Sequence, residues 1–181
     1  RARFNMVEQQ VRPWDVLDQS VLDLLFVVKR EDFVPPAYRA LAFSDMEVPL
    51  RIEGVDTGEC MWSPKLEARI LQELAVKPHE TVLEIGTGSG HLTALLAHKA
   101  YHVVSVEIDP RLAAFGAANL ARAGVHNVRL ESGDASRGWM SRAPGTSNRL
   151  FNSPGSCSRL YNSPPRSGSM ISFQSSFRTM R

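Results

Sequence analysis

A short apolar run that leads straight into three glycines spaced two apart constrains this chain more than any other feature. Thr81-Val-Leu-Glu-Ile85 reads as a buried strand, Gly86-Thr-Gly-Ser-Gly90 as a tight loop, and Leu92 to His98 as a helix. Glycine at 86, 88 and 90 lets the backbone turn sharply and approach a ligand with no Cβ in the way. The helix start that follows presents free N–H groups. The alternation then continues: His102 to Val106 as a second strand, Pro110 to Ala123 as a helix ended by Gly124, and Val128 to Ser132 as a third strand. Strands and helices alternating over short connections predict an α/β fold, a Rossmann-like parallel sheet with right-handed crossovers.

The chain before this unit has no such rhythm. Val21, Leu22, Leu24, Leu25 and Val28 lie at helical spacing behind Asp18, a suitable N-cap. Met46 to Leu50 runs extended into a loop around Gly54 and Gly58. Pro64 to about Val76 is a further helix, with Ser63 at its N-cap and Leu66, Ile70, Leu71 and Leu74 on one face. Residues 1–63 are therefore expected to form a helical cap and 64–140 the Rossmann-like core. Residues 141–181 hold eleven serines, six arginines and no acid, with two similar units, Arg149 to Pro154 and Arg159 to Pro164. Nothing there reads as a strand or helix able to continue the sheet, so the sheet is expected to be incomplete and the segment an atypical tail.

Composition narrows the class. No run of eighteen apolar residues exists, and the N-terminus lacks the apolar stretch of a secretory signal, so a cytoplasmic protein without a membrane partner is expected. Cys60 and Cys157 have no metal-ligand spacing and read as reduced thiols, so no metal site is expected. The six arginines of the tail form no tight cluster, and nucleic acid is not the expected partner. The oligomeric state is left open.

A ligand lying across the glycine loop would meet Glu107, at the end of the second strand and twenty-one residues after Gly86, where a ribose-binding carboxylate belongs. The loop is GxGxG, and His91 stands where a nicotinamide or flavin fingerprint wants its third glycine. Gly133-Asp134-Ala135 after the third strand adds an acid suited to an adenine amino group. Together these point to S-adenosyl-L-methionine and a class I methyltransferase. Gly86, Thr87, Gly88, Ser89 and Gly90 are expected to cradle the methionine end, Glu107 to hold the ribose hydroxyls, Ile108 to pack on adenine, and Asp134 and Ala135 to meet its amino edge. Glu84 is expected either to accept from loop amides or to face the methionine amino group through water. Asp109, just before Pro110, reads as a helix N-cap rather than a ligand, and His91 as a residue that opens its helix.

Over residues 1–140 these motifs, with Lys29-Arg-Glu-Asp-Phe-Val-Pro35, Ala42-Phe-Ser-Asp45 and Val48-Pro-Leu50, resemble the protein-L-isoaspartate O-methyltransferase family. The resemblance implies methyl transfer to the free carboxylate of an isoaspartyl residue in damaged proteins or peptides, which begins their repair. It makes Gly58 to Pro64 the substrate loop. The family's loop carries a serine two residues before the proline. Here Trp62 holds that position and Ser63, the candidate catalytic hydroxyl, follows one place later. A second departure begins at Arg142, beyond which the family's further strands are not recognisable. A catalytically weak member that binds the cofactor or a protein, or a methyltransferase for another substrate, remains the alternative reading.

Overall fold

The computed structural model describes residues 1–135 and the strand Asn148–Asn152. The expected core is present in the expected order. β3 (Thr81–Ile85), β4 (His102–Glu107) and β5 (Val128–Ser132) are joined by α4 (His91–Lys99) and α5 (Pro110–Arg122). All pair in parallel, with Thr81 opposite His102 and Val103 opposite Val128. Val82 and Val103 point to one face of the sheet, while Leu83, Ile85, Val104 and Val106 cluster on the other, as strand alternation requires. Helix α4 is buried on nearly every side, and Leu95 and Leu96 are fully enclosed, because the cap covers the surface it turns away from the sheet.

The tail reading is corrected at one point. Asn148–Asn152 forms β6, parallel to β3, with Asn148 opposite Thr81 and Phe151 opposite Glu84, so the order is β5-β4-β3-β6. The serine-rich average of the tail hid these five residues, which take up the edge of β3 that would otherwise leave backbone donors and acceptors unpaired. The second similar unit, Arg159 to Pro164, and Cys157 lie outside the described residues.

The cap is more than helices. Its α1 (Ala2–Met6) continues through a π-helical turn, Val7–Val11, and a 3-10 turn, Arg12–Trp14, none of which the apolar spacing had suggested. α2 (Gln19–Val27) starts at Asp18, whose side chain accepts from the Ser20 amide at 2.8 Å as expected of an N-cap. The stretch read as an extended segment and a loop is an antiparallel hairpin, β1 (Val48–Ile52) and β2 (Val55–Met61). Glu53 and Gly54, both at positive φ, make the two-residue turn that suits the strands' twist. Most of the expected substrate loop is thus strand, and α3 (Pro64–Leu74) follows it at once. One hydrophobic cluster runs from Met6 in the cap to Leu120 in α5, so cap and sheet share a core.

Truncating Leu95 to alanine is expected to cost about 2–5 kcal/mol in urea denaturation. His98→Ala on the exposed end of the same helix is expected to stay within about 0.5 kcal/mol.

Candidate functional site

The glycine loop is fixed from below before any ligand is considered. Gly88 and Gly90 both adopt positive φ, and a Cβ on Gly90 would stand 3.1 Å from the Gly116 carbonyl and 3.2 Å from Leu120. Gly116 in α5 is tighter still: its Cβ would lie 2.8 Å from the Thr87 methyl and 3.1 Å from the Gly88 carbonyl. Next to it, the buried Asn119 donates to the Ser89 carbonyl at 2.8 Å. Gly116 and Asn119 therefore set the height of the loop, and sequence reading missed both. The only signal was a glycine inside a helix, which is otherwise unfavourable.

A cleft opens above the loop. One wall is Cys60, Met61, Trp62 and Glu67; the other is Glu84 to Ser89 with Leu92. Of the residues expected to meet the cofactor, Glu84, Gly86, Thr87, Gly88 and Ser89 line this cleft, while Gly90, Glu107, Ile108, Asp134 and Ala135 are not among its lining residues. The hydroxyls of Thr87 and Ser89 are engaged within the fold, the first with Ser105 at 2.6 Å and the second as acceptor from the His91 amide at 3.3 Å. Gly90 lies against α5 and its constraint is packing. Ser63 occupies the N-cap position of α3, but its side chain makes no capping bond; its carbonyl takes the Leu66 and Glu67 amides, and it is not among the cleft residues.

Glu107 stands at the end of β4, 5% exposed. One oxygen accepts from the Gly88 amide at 2.9 Å and the other from the Ile108 and Asp109 amides at 2.9 and 3.0 Å. Both oxygens are thereby bonded in place, and the side chain ties β4 to the loop. Ile108 beside it is 60% exposed, unusual for isoleucine and available to an apolar ligand surface. The Gly133 amide donates to the Glu107 carbonyl, which carries Asp134 and Ala135 to the same end of the sheet; Asp134 is exposed and Ala135 half-buried. Asp109 caps α5, accepting from the Arg111 amide at 2.8 Å, as its place before Pro110 predicted.

Glu84 does not accept from loop amides, which corrects one of its two expected roles. Its Oε2 takes the hydroxyls of Thr93 at 2.5 Å and Ser105 at 2.6 Å, while Oε1 is buried with no partner among the described residues. Burial pushes this carboxyl up to about 7 against the two hydroxyls that pull it down. His91 is likewise more than a helix opener. It is 1% exposed, its Nδ1 lies 2.8 Å from Glu67 Oε2, and the Phe33 ring meets it edge-on. Glu67 also pairs with the buried Arg30. Burial pushes the Glu67 carboxyl up, but the neighbouring His91 and Arg30 outweigh that and hold it below the ordinary carboxylate range. Nothing in the spacing of residues 30, 67 and 91 announced this cluster.

The family model for protein-L-isoaspartate(D-aspartate) O-methyltransferase matches residues 3–151. The chain belongs to this family. A protein-L-isoaspartate O-methyltransferase 2 of Anaeromyxobacter sp. is similar at 39% identity over 142 residues, 78% of this chain and 56% of the relative. A protein-L-isoaspartate O-methyltransferase of Klebsiella pneumoniae is 36% identical over 142 residues, 78% of this chain and 66% of its own length. A solved protein-L-isoaspartate O-methyltransferase superposes with a TM-score of 0.64 at 23% identity, over 82% of this chain and 48% of that one, and shares the fold. The chain thus spans about half to two thirds of the length of the family members it matches. Cys60, Met61 and Trp62 line the cleft with the glycine loop and bring no hydroxyl to it.

Two outcomes follow from the loop's supports. Gly116→Ala is expected to displace Thr87 or the Gly88 carbonyl and to lower stability by about 1–3 kcal/mol in urea denaturation. Glu84 titrates near 4.5 when unfolded and near 7 in the fold, so the native state holds the extra proton between these values. Its contribution is fully present below 4.5 and lost as pH rises through about 7. Glu84→Gln should therefore gain on the parent protein between pH 5 and 8, by roughly 3 kcal/mol at most, as read by chemical denaturation at each pH.

Proposed function

We propose that this chain binds S-adenosyl-L-methionine across the glycine loop and methylates the free carboxylate of isoaspartyl residues in damaged proteins. The observation that carries the reading is Glu107, whose two oxygens are already oriented by three backbone amides at the end of β4. Oε2 accepts from the Gly88 amide alone and has room for a second donor, so Glu107 would hold a ribose hydroxyl without rearrangement. Ile108 would pack on the adenine and Asp134, with Ala135, would meet its amino edge. The loop from Gly86 to Gly90 would carry the methionine end, and the unpartnered Glu84 Oε1 would receive a donor from it, directly or through water.

When bound, the cofactor supplies a methyl group on a sulfonium, electrophilic enough for a carboxylate to attack. An isoaspartyl carboxylate is ionised at neutral pH and needs no strong base. The protein's work is then to align it and to exclude water, tasks suited to the apolar wall of Met61 and Trp62. No helix among the described residues is long and apolar enough to cross a membrane. A cytoplasmic enzyme acting on soluble damaged proteins accords with that and with the family. One specific observation favours a second reading, a family member that binds cofactor without turning over isoaspartate: Cys60, Met61 and Trp62 line the cleft, and the candidate catalytic Ser63 does not.

Calorimetry of S-adenosylmethionine with the purified chain and with Glu107→Ala tests the proposal. Micromolar binding that the variant weakens at least about tenfold is expected, equivalent to about 1.4 kcal/mol. A folded chain that binds nothing would overturn it. Binding without methylation of an isoaspartyl peptide, with turnover appearing in Trp62→Ser, would select the second reading.

A further inference from the structure

Three acceptors, at residues 42, 62 and 67, converge on one guanidinium. Arg30, on the 3-10 turn Arg30–Asp32 of the cap, is 2% exposed. Its Nε donates to the Ala42 carbonyl at 3.0 Å, one terminal nitrogen to Glu67 Oε2, and the other to the carbonyl of Trp62. Glu67 comes from the first turn of α3, and the same oxygen meets His91, the first residue of the helix that the glycine loop opens. The cluster therefore joins the cap, one wall of the cleft and the end of the loop that forms the other wall.

Stability alone is a poor account of such an arrangement. Removing an arginine and a glutamate from water costs much of what their attraction returns, and well-packed apolar side chains often serve as well or better. What a guanidinium adds is direction, because its planar fork fixes where several acceptors stand relative to one another. The acceptor with a consequence here is the Trp62 carbonyl, since Cys60, Met61 and Trp62 face Glu84 to Ser89 across the cleft. The loop opposite has its own supports in Glu107, Gly116 and Asn119.

We infer that Arg30 is a positioning residue for the acceptor wall: through Glu67 and His91 it sets the Cys60 to Trp62 segment against the glycine loop, and so governs methyl-acceptor placement more than cofactor affinity. The inference rests on the reading that this cleft holds cofactor and acceptor together. It also assigns Glu67 and His91 a joint role, as the anchor that registers Arg30 on α3 and α4.

The test uses the full chain with Trp14→Phe and Trp139→Phe, which leaves Trp62 as the only tryptophan of the three. Into this parent go Arg30→Lys, which keeps the charge and loses the fork, and Glu67→Gln. Three quantities are read: acrylamide quenching of Trp62 without ligand, S-adenosylmethionine affinity by calorimetry, and KM and kcat for an isoaspartyl peptide. Arg30→Lys is expected to raise quenching about twofold or more and the peptide KM about tenfold, with cofactor affinity within about threefold of the parent. Unchanged quenching in both variants would overturn the inference, as would cofactor affinity falling in step with peptide binding, or failure of both variants to fold. Should the parent itself neither bind cofactor nor methylate the peptide, the functional reading falls, while the quenching comparison still decides what Arg30 holds.

Discussion

Three glutamates buried within one small region, Glu67, Glu84 and Glu107, impose a demand that the surrounding structure has to meet. A carboxylate taken out of water must find donors, neutralise itself or lie beside positive charge. Each of the three meets the demand differently. Glu107 is received by the amides of Gly88, Ile108 and Asp109, so the strand end, the glycine loop and the start of α5 are held in one arrangement. Glu67 is received by Arg30 and His91, which brings the cap and α3 onto the start of α4. Glu84 takes two hydroxyls on one oxygen, leaves the other without a partner among the described residues, and moves toward neutrality.

These solutions differ in what they leave for a ligand. Backbone amides orient Glu107 and leave its Oε2 room for a further donor, which suits recognition of a hydroxyl. The unpartnered oxygen of Glu84 is a polar atom whose cost a bound donor would remove. Glu67 is tied to two cationic or potentially cationic neighbours, so its role is in the architecture of the wall. Packing supports this electrostatic frame from beneath: the missing side chains at Gly90 and Gly116 allow α5 to approach the loop closely, and the Asn119 amide fills the remaining distance. The site is thus the meeting point of a helix face chosen for its smallness and a strand end chosen for its acid.

Much of the core was legible because its signals are local. β3 appears with the limits that the run Thr81 to Ile85 suggested, and β5 with those of Val128 to Ser132. Pro64 and Pro110 open their helices, and Asp18 and Asp109 cap theirs, since a proline's fixed φ and a short acid's reach act over two or three residues. The hairpin β1–β2 was less legible because its turn is Glu53-Gly54 and β2 carries a glycine at positive φ, features that read as loop when strand partners are unknown. The strand Asn148–Asn152 was hidden for a related reason: five residues in a serine-rich stretch have little strand preference of their own and are recruited by the free edge of β3.

By itself the sequence determined the βαβαβ core, the glycine loop with its acidic partner, and the family to which the chain is similar, because those depend on residue order over short spans and on the covalent fact of which positions lack a side chain. Only the tertiary structure decided that Thr87 and Ser89 turn their hydroxyls into the fold, that Trp62 and Glu67 rather than Ser63 line the cleft, and that Arg30, Glu67 and His91 meet in its foundation. The physical reason is range. A buried ion pair between residues thirty-seven positions apart leaves no periodicity or spacing in the chain, and comes into being only when burial brings two charges to the same dry place.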